Sequence, residues 1–402
     1  MVVSLLQSDA RHIPLRDGSI HTVITSPPYW RLRNYGTNPL IWGGDGSCGH
    51  IWEDSVFCVN CGAWMGELGL EPTPELYVQH IVEIFREIRR VLRHDGVVWL
   101  NIGDSYYGGK GRSSRRTDDK HSVLKPKDLC MIPHRVAIAL QENGWWVRSD
   151  IVWAKGVSFR PDFSGSTMPE SVNDRPTKSH EYVFLLSRSK DYYYDAEAVK
   201  EEGIYPAGTR AAKGSGEREG NRRGNEYAEY SGKRNLRSVW AINPKPYSEA
   251  HFAIFPPSLV EPMVLASTSE KGCCPKCGSP YERITAKEEI ETPDWQPYNG
   301  KQSKQDNHFS TKRLGGNTKR FRAVGMPQNN PFPVKHTVGW QSTCSCNAGD
   351  PVPCTVLDPF SGTATVGIVA IKHKRNYIGL EIKWDYIELA RKRMNKIQLQ
   401  LI

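Results

Sequence analysis

The chain has 402 residues, a formal net charge of +9 and ten cysteines. This length is enough for one large catalytic domain with insertions, and the positive charge favours a polyanionic partner. We find no signal-peptide-like apolar segment and no apolar run of membrane length, so we expect a soluble, cytoplasmic protein with no membrane partner. In that compartment, ten cysteines indicate metal sites before disulfides.

The first distinctive pattern is a buried strand that ends in a proline-rich turn. An apolar run over residues 21–24 predicts the strand, and it leads into Ser26-Pro27-Pro28-Tyr29. Strand pairing must stop at the two prolines, because neither has an N–H to donate. The freed carbonyl oxygens, the serine hydroxyl and the aromatic ring could together bind a planar amine such as a nucleobase. The same tetrapeptide could equally be only a stiff turn.

Two pairs of metal-ligand residue types follow, Cys48 with His50 and Cys58 with Cys61. Cys-x-His and Cys-x-x-Cys at this spacing can fold as two knuckles around one tetrahedral Zn²⁺. Four protein ligands leave no open position for a catalytic water, so we expect a structural site.

The next part of the chain alternates helical and strand patterns. Thr73 predicts the start of a helix that ends at residues 94–96, and an apolar strand follows at 97–100. Residues 101–104 then form a strand-end loop, which in an α/β sheet either lines a ligand crevice or simply connects two strands. Three further elements are predicted: a helix at 132–141 and strands at 145–155 and 181–187.

Two polar segments, residues 106–120 and 201–237, are rich in glycine and charged side chains. Neither can bury much apolar surface, so both predict long loops. Each could be a solvated loop or a segment that contacts DNA phosphates or bases.

The second cysteine set predicts a second zinc site. Its members lie in two close pairs: Cys274, Cys277, Cys344 and Cys346. Cys273 could replace Cys274, but the Cys-x-x-Cys spacing favours Cys274. Between the pairs, residues 299–322 are basic and nearly free of acids. We therefore interpret residues 272–349 as a zinc ribbon with a basic insertion that could reach a DNA groove.

A second strand-and-turn pattern lies near the end of the chain. Residues 355–358 predict a strand, Gly362 lies in the following turn, and residues 366–373 predict a helix. This arrangement is typical of a nucleotide- or adenosyl-binding turn. The next predicted strand, 376–381, ends on Glu381, which is placed to accept hydrogen bonds from ribose hydroxyls.

On these two patterns the chain resembles the amino-group DNA methyltransferases that use S-adenosylmethionine, in the permuted beta order. In that family a Ser/Asp-Pro-Pro-Tyr motif comes first and a Phe-x-Gly-x-Gly turn comes last. Phe360 and Gly362 match that turn, whereas Ala364 stands where the family has its second glycine. The resemblance covers roughly the first and last thirds of the chain. It implies an α/β, Rossmann-like methyltransferase fold with a mostly parallel seven-stranded sheet, here with two small zinc-ribbon insertions.

The resemblance also implies roles for individual residues. Asp9, at the end of a strand predicted over residues 4–9, would lie near the adenine of the cofactor, although it could simply cap that strand. Phe255 would pack beside the methionine end. The catalytic residues implied are Ser26, Pro27, Pro28 and Tyr29. The cofactor-binding residues implied are Asp9, Phe255, Asp358, Phe360, Gly362, Thr363 and Glu381.

The activity implied is methylation of the exocyclic amine of a base flipped out of double-stranded DNA. Ser26 and the Pro27 carbonyl would accept the two amine hydrogens, and Tyr29 would stack on the base. Serine before Pro-Pro-Tyr favours cytosine-N4 in this family, with adenine-N6 as the alternative. A protein glutamine or an RNA base is a further alternative substrate, but those enzymes usually have the opposite motif order. An inactive zinc-ribbon DNA-binding protein is a third hypothesis, which Ala364 favours.

A bacterial, archaeal or phage enzyme of this kind could pair as a homodimer and have a cognate restriction nuclease or none. The predicted domain order has seven segments. The core occupies 1–47, 66–200, 238–271 and 350–402, the last of these being the cofactor-binding part. The insertions are a zinc knuckle at 48–65, a flexible or target-recognition segment at 201–237, and the zinc ribbon at 272–349.

Overall fold

The computed structural model describes residues 1–53, 55–108, 121–156, 172–203, 210–212, 227–229, 232–244, 255–290 and 332–398. Most of the predicted loop at 106–120, most of the 201–237 segment and the whole basic segment at 299–322 lie outside these described residues. The chain forms two compact units. The first consists of Met1–Val199, Leu236–Glu282 and Trp340–Ile402, and the second of Lys200–Asn235 and Arg283–Gly339.

The described strands and helices are numbered here in chain order. The strands are β1 (Val3–Gln7), β2 (Ile20–Thr25), β3 (Leu40–Trp42), β4 (Trp64–Gly66), β5 (Leu92–Ile102), β6 (Trp146–Ala154), β7 (His180–Ser187), β8 (Glu201–Glu202), β9 (Arg210–Ala212), β10 (Tyr227–Glu229), β11 (Lys233–Arg234), β12 (Val239–Ala241), β13 (Tyr281–Ile290), β14 (Phe332–Ser342), β15 (Thr355–Asp358) and β16 (Asn376–Glu381). The helices are α1 (Pro74–Val91), α2 (Ile132–Glu142), α3 (Pro257–Ser267), α4 (Thr365–Lys372) and α5 (Trp384–Gln398).

The first unit is built on one sheet with the strand order β1-β16-β15-β2-β5-β7-β6-β12. Neighbouring strands pair in parallel except for β7, which is antiparallel to both β5 and β6. The mostly parallel α/β architecture confirms the predicted fold class. The strand number differs from the predicted seven, because β12 adds an eighth strand beside β6. This strand has only three residues, and Trp240 alone is buried, so its sequence carries little strand pattern.

Helix α1 begins where the sequence predicts, because Thr73 caps it. The Thr73 hydroxyl accepts the N–H of Leu76 at 3.3 Å, and Pro74 occupies the first turn. The predicted end at residues 94–96 was wrong. The chain turns directly from Val91 into β5, where Leu92 is buried and pairs with Ile20. Burial of this leucine in the sheet outweighs the turn-forming residues that follow it.

The strand order brings the two sequence motifs to one edge of the sheet. β2, which precedes Ser26, and β15, which precedes the glycine turn, are adjacent and parallel. Their last residues are joined by a hydrogen bond from the Thr25 hydroxyl to Asp358 Oδ1 at 2.8 Å, across 333 residues of sequence. Because β7 runs the other way, its first residues, His180 and Glu181, lie at this same edge.

The second unit contains short antiparallel pairs, β8 with β11 and β9 with β10. Most of the paired strands β13 and β14 also belongs to it, and there Arg283 donates a 2.7 Å hydrogen bond to the Thr337 hydroxyl. Among the described helices of the chain, none has both the length and the apolar character needed to cross a lipid bilayer.

Candidate active site

A cavity of about 710 Å³ lies in the first unit, at the edge of the sheet where the parallel strands end. Ligands in open α/β sheets bind at this edge. All eleven residues predicted to be catalytic or cofactor-binding line this one cavity: Asp9, Ser26, Pro27, Pro28, Tyr29, Phe255, Asp358, Phe360, Gly362, Thr363 and Glu381. The two motifs, distant in sequence, therefore share a continuous cavity.

The proline-rich turn is anchored by two buried aromatic residues. The Tyr77 hydroxyl of α1 donates to the Pro28 carbonyl at 2.9 Å, and the Trp30 indole N–H donates to the Glu71 carbonyl at 2.9 Å. Trp30 is 1 % exposed, so its ring belongs to the core rather than to the cavity. These bonds hold the backbone of the turn rigidly at the end of β2.

The hydroxyl of Tyr29 is the centre of a polar network at this turn. It lies 2.8 Å from Glu181 Oε2, 2.7 Å from Asn101 Nδ2 and 3.1 Å from the Ser26 hydroxyl oxygen. Burial raises the pKa of Tyr29 well above its ordinary value, and the nearby carboxylate raises it further. The ring edge contacts Gly103 so closely that a Cβ there would lie 2.6 Å from Tyr29 Cε2. Glycine at 103 therefore keeps the space for this ring.

Among the charged or titratable side chains of the cavity that the sequence patterns did not predict are Lys155, Lys178, His180 and Glu181. Lys155 forms an ion pair with Glu181, and the Lys178 amine lies 3.7 Å from Asp104 Oδ2. Burial lowers the pKa of Lys178 and that of His180. The sequence pattern that predicts cavity residues is the carboxyl end of a strand, whereas Lys178 precedes the antiparallel strand β7 and His180 and Glu181 are its first residues.

The glycine turn after β15 holds two acidic side chains in different ways. Asp358 Oδ1 accepts hydrogen bonds from the Thr25 hydroxyl and from the Phe360 N–H at 3.1 Å, and burial raises the pKa of Asp358 to about 7. Glu381 accepts the N–H groups of Gly362 and Lys383, each at 2.9 Å. Burial also raises the pKa of Glu381. Glu381 lines the cavity, and these two hydrogen bonds do not use all the acceptor positions of its carboxylate.

The backbone of the same turn is left-handed at two positions. Gly362 has φ of 51° and Ala364, at the start of α4, has φ of 59°. The second angle is costly for alanine, which has a Cβ. Arg393 of α5 supports the turn by donating to the Thr363 carbonyl at 3.2 Å and to the Thr363 hydroxyl at 3.0 Å. Ala364 therefore adopts a backbone conformation in which a glycine would be unstrained.

Asp9 lines the cavity, but its carboxylate is already engaged. Arg11 donates to Asp9 Oδ2 through its Nε and Nη2 atoms, at 2.9 and 2.7 Å, and its backbone N–H donates to Oδ1 at 2.9 Å. A ligand at this position would share the Asp9 carboxylate with Arg11.

The structure brings both predicted metal-ligand sets together, each with all ligand atoms within 4.8 Å of one another. In the first set the Cys48 and Cys58 sulfurs are 3.9 Å apart. Tetrahedral Zn²⁺ with bonds of about 2.3 Å to sulfur would place two sulfurs about 3.8 Å apart. The second set contains Cys274, as the spacing predicted, and not Cys273. The donor types and spacing in both sets fit Zn²⁺.

A third group with similar chemistry lies in the core: His21, Cys273 and Cys354, all buried. The Thr355 N–H donates to His21 Nδ1 at 3.0 Å, so the proton of this imidazole is on Nε2, which donates to the Gly278 carbonyl at 2.9 Å. Both ring nitrogens are used. A metal ion bound by His21 at this group would have to replace one of these two bonds.

The fold and the cavity together define an α/β enzyme core with its site at the strand ends. A family model described as DNA methylase matches residues 20–274 and 343–392. Type II methyltransferase M.Cfr9I of Citrobacter freundii is 32 % identical over 409 residues, which cover 98 % of this chain and 87 % of that protein. Type II methyltransferase M.SmaI of Serratia marcescens is 38 % identical over 262 residues, covering 62 % of this chain and 69 % of that protein. The chain therefore belongs to the N6/N4 DNA methylase family.

Solved structures also align along the chain. PvuII DNA methyltransferase, named as cytosine-N4-specific, aligns with a TM-score of 0.49 and 15 % identity, covering 99 % of this chain and 90 % of its own. M1.HpyAVI in complex with SAM aligns with a TM-score of 0.39 and 14 % identity, covering 98 % and 100 %.

Proposed function

We propose that the protein transfers a methyl group from S-adenosylmethionine to the exocyclic amine of a base flipped out of double-stranded DNA, with cytosine-N4 favoured over adenine-N6. The observation that carries this proposal is the shared cavity, in which the proline-rich turn and the glycine turn face one ligand space. Membership of the N6/N4 DNA methylase family supports DNA as the substrate. The relatives named type II methyltransferases support a modification role beside a cognate nuclease.

The cavity fits S-adenosylmethionine at its glycine-turn end. A Cβ built on Gly362 would meet no atom within 4 Å, so the turn faces open space. Glu381, at the end of β16, has acceptor positions left for two ribose hydroxyls. Phe255 adds an apolar surface to the same cavity. When bound, this cofactor supplies an electrophilic methyl group.

The other end of the cavity fits a planar base with an amine. In this proposal the Ser26 hydroxyl and the Pro27 carbonyl accept the two amine hydrogens, and the Tyr29 ring stacks on the base; all three residues line the cavity. The Asn101 side-chain oxygen is buried and has no hydrogen-bond partner among the described residues. Asn101 also lines the cavity, and its side-chain nitrogen lies 2.7 Å from the Tyr29 oxygen. Positioning of this kind makes the amine nitrogen available to the methyl group.

Nucleoside analysis tests both the activity and the target base. Duplex DNA is incubated with the protein and S-adenosylmethionine, digested to nucleosides and analysed by mass spectrometry. We expect N4-methylcytosine, because serine occupies position 26. If only N6-methyladenine is found, adenine is the target instead of cytosine. If no methylated nucleoside is found with any DNA, the proposal is overturned.

We propose that the two four-ligand sets hold structural Zn²⁺, which is supported by their donor types and spacing. Cys48, His50, Cys58 and Cys61 would hold one ion, and Cys274, Cys277, Cys344 and Cys346 the other. We further propose the seven-segment domain order given above, with residues 272–349 contacting DNA through their basic insertion. Neither ion would take part in methyl transfer, because all four positions of each are filled by protein ligands.

A further inference from the structure

We propose that the Ser26 hydroxyl, the Tyr29 hydroxyl and the Glu181 carboxylate form a relay that carries away the proton lost by the target amine. The inference rests on the proposed methyl transfer and names the route and final acceptor of that proton. All three side chains line the cavity, and consecutive oxygens are 3.1 and 2.8 Å apart.

The direction of these hydrogen bonds follows from the chemistry of the groups. Glu181 Oε2 lies 3.0 Å from the Asn101 amide, and a carboxylate can only accept, so the atom of Asn101 that faces it is the amide nitrogen. The same nitrogen lies 2.7 Å from the Tyr29 oxygen and therefore donates to it. The Tyr29 hydroxyl then donates its proton to Glu181, and its remaining lone pair accepts the hydrogen bond from the Ser26 hydroxyl. The lone pairs of the Ser26 oxygen are left for the amine.

Methylation of an amine requires such a route. The nitrogen–carbon bond forms as the carbon–sulfur bond of the donor breaks, and the nitrogen then carries one proton too many and a positive charge. That proton passes to the Ser26 oxygen, the Ser26 proton to Tyr29, and the Tyr29 proton to Glu181, so that one proton is gained by Glu181 overall. Each hydroxyl loses a proton as it receives one, so Tyr29 never becomes an anion, which its burial would disfavour.

Glu181 is better placed for this role than Asp104, another acid of the cavity. Its second oxygen is held by the Lys155 ion pair, which fixes the carboxylate with Oε2 toward Tyr29. Asp104, by contrast, accepts the N–H groups of Ser105 and Ile132 at 2.9 and 3.0 Å. The bond from Ile132 holds the start of α2, and neither bond leads to Ser26. The relay therefore ends at Glu181.

The relay is tested with variants that remove one link each. In Tyr29→Phe the ring remains but the hydroxyl is lost, and in Glu181→Gln the shape remains but the proton acceptor is lost. Matched controls outside the cavity are Tyr192→Phe and Glu87→Gln. For both relay variants we expect the single-turnover rate of methyl transfer to fall roughly 10²-fold, the range of general base catalysis. Affinities for duplex DNA and for S-adenosylmethionine, measured by fluorescence anisotropy and calorimetry, should stay within about twofold.

Chemical rescue separates proton transfer from a purely structural role. Formate should restore part of the rate of Glu181→Ala, where the cavity has room for it, and should not help Glu181→Gln. The relay would be overturned if Tyr29→Phe transferred the methyl group at the wild-type rate. It would also be overturned if the rates of the variants fell only as far as their affinity for DNA fell. Neither outcome would affect the proposed methyltransferase activity. A wild-type chain that methylates no DNA would overturn the proposed function and the relay together.

Discussion

Asp358 shows how one buried side chain links stability to pH. It is 1 % exposed, has no ion-pair partner among the described side chains, and is held by two hydrogen bonds from Thr25 and Phe360. Burial raises its pKa to about 7, with a smaller contribution from Glu381. Between pH 4 and 7 the folded protein therefore keeps a proton that the unfolded chain releases. The free energy of unfolding then falls as the pH rises through this window and is level above it.

Replacing Asp358 by Asn should remove this pH dependence. The amide oxygen can accept the same two hydrogen bonds, whereas it has no proton to lose. We expect the decline in unfolding free energy between pH 4 and 7, at most about 4 kcal/mol in the wild type, to be largely absent in Asp358→Asn. Urea titrations followed by tryptophan fluorescence measure it, with the exposed Asp191→Asn as control. An unchanged slope in Asp358→Asn would assign the pH dependence to other groups.

At the residue scale, the sequence was informative where a residue type has one evident use. Prolines that end a strand and an acid at a strand tip predicted cavity residues directly. Glu181 was not predicted, because it belongs to a regular strand pattern. It lines the cavity only because β7 pairs antiparallel to β5. The ion pair of Asp9 with Arg11 was missed because it depends on side-chain geometry that spacing alone does not determine.

At the scale of elements, the turn between β15 and α4 explains how alanine replaces a family glycine. Ala364 has a left-handed backbone, which costs about 1–2 kcal/mol for a residue with a Cβ. Its methyl group is fully buried, and that burial offsets part of the cost.

The strain predicts a contrast between two buried alanines, Ala364 and Ala370. Ala364→Gly loses a methyl group but relieves the backbone, so we expect the unfolding free energy to change by less than about 1 kcal/mol. Ala370→Gly lies inside α4, loses its methyl group and gains no relief, so it should cost about 2 kcal/mol. If thermal denaturation shows that both variants lose the same unfolding free energy, the backbone at position 364 is not strained. Binding of S-adenosylmethionine should be within about threefold of wild type in Ala364→Gly.

The proposed zinc knuckles predict a fixed metal content. The wild type should contain two zinc ions per chain, and Cys277→Ser should contain one, since three remaining ligands hold Zn²⁺ weakly. Cys130 is buried and belongs to neither ligand set, so Cys130→Ser should retain both ions. Mass spectrometry of the metal in purified protein measures this directly. Two ions in Cys277→Ser would show that this cysteine is not a ligand.

For the whole molecule, the sequence predicted the fold class and the meeting of the two motifs, but not the strand count. The two motifs meet because β2 and β15 are neighbours, which follows from the family order rather than from any local pattern. The edge strand β12 could not be predicted, because three residues with one buried side chain match many loops. Where a site depends on strand direction, as at Glu181, only the assembled sheet shows it.

Ligand-linked stability separates an active enzyme from an inactive zinc-ribbon protein. At 100 times its Kd, S-adenosylmethionine should stabilise the folded chain by about 2.7 kcal/mol, which appears as a rise in Tm. Glu381→Gln should reduce this rise, because the amide places donor hydrogens where acceptors are needed, whereas the exposed Glu388→Gln should keep it. If millimolar S-adenosylmethionine does not raise the Tm of the wild type, the result favours the hypothesis of an inactive DNA-binding protein.

The position of β15 and β16 between β1 and β2 has a consequence for biosynthesis. As the ribosome makes the chain, β1 and β2 emerge first but have no common partner until residues 355–381 are translated. Pairing across such sequence separations carries a large loop-closure entropy and is slow. The nascent chain therefore keeps the facing edges of β1 and β2 unpaired until β15 and β16 have been made.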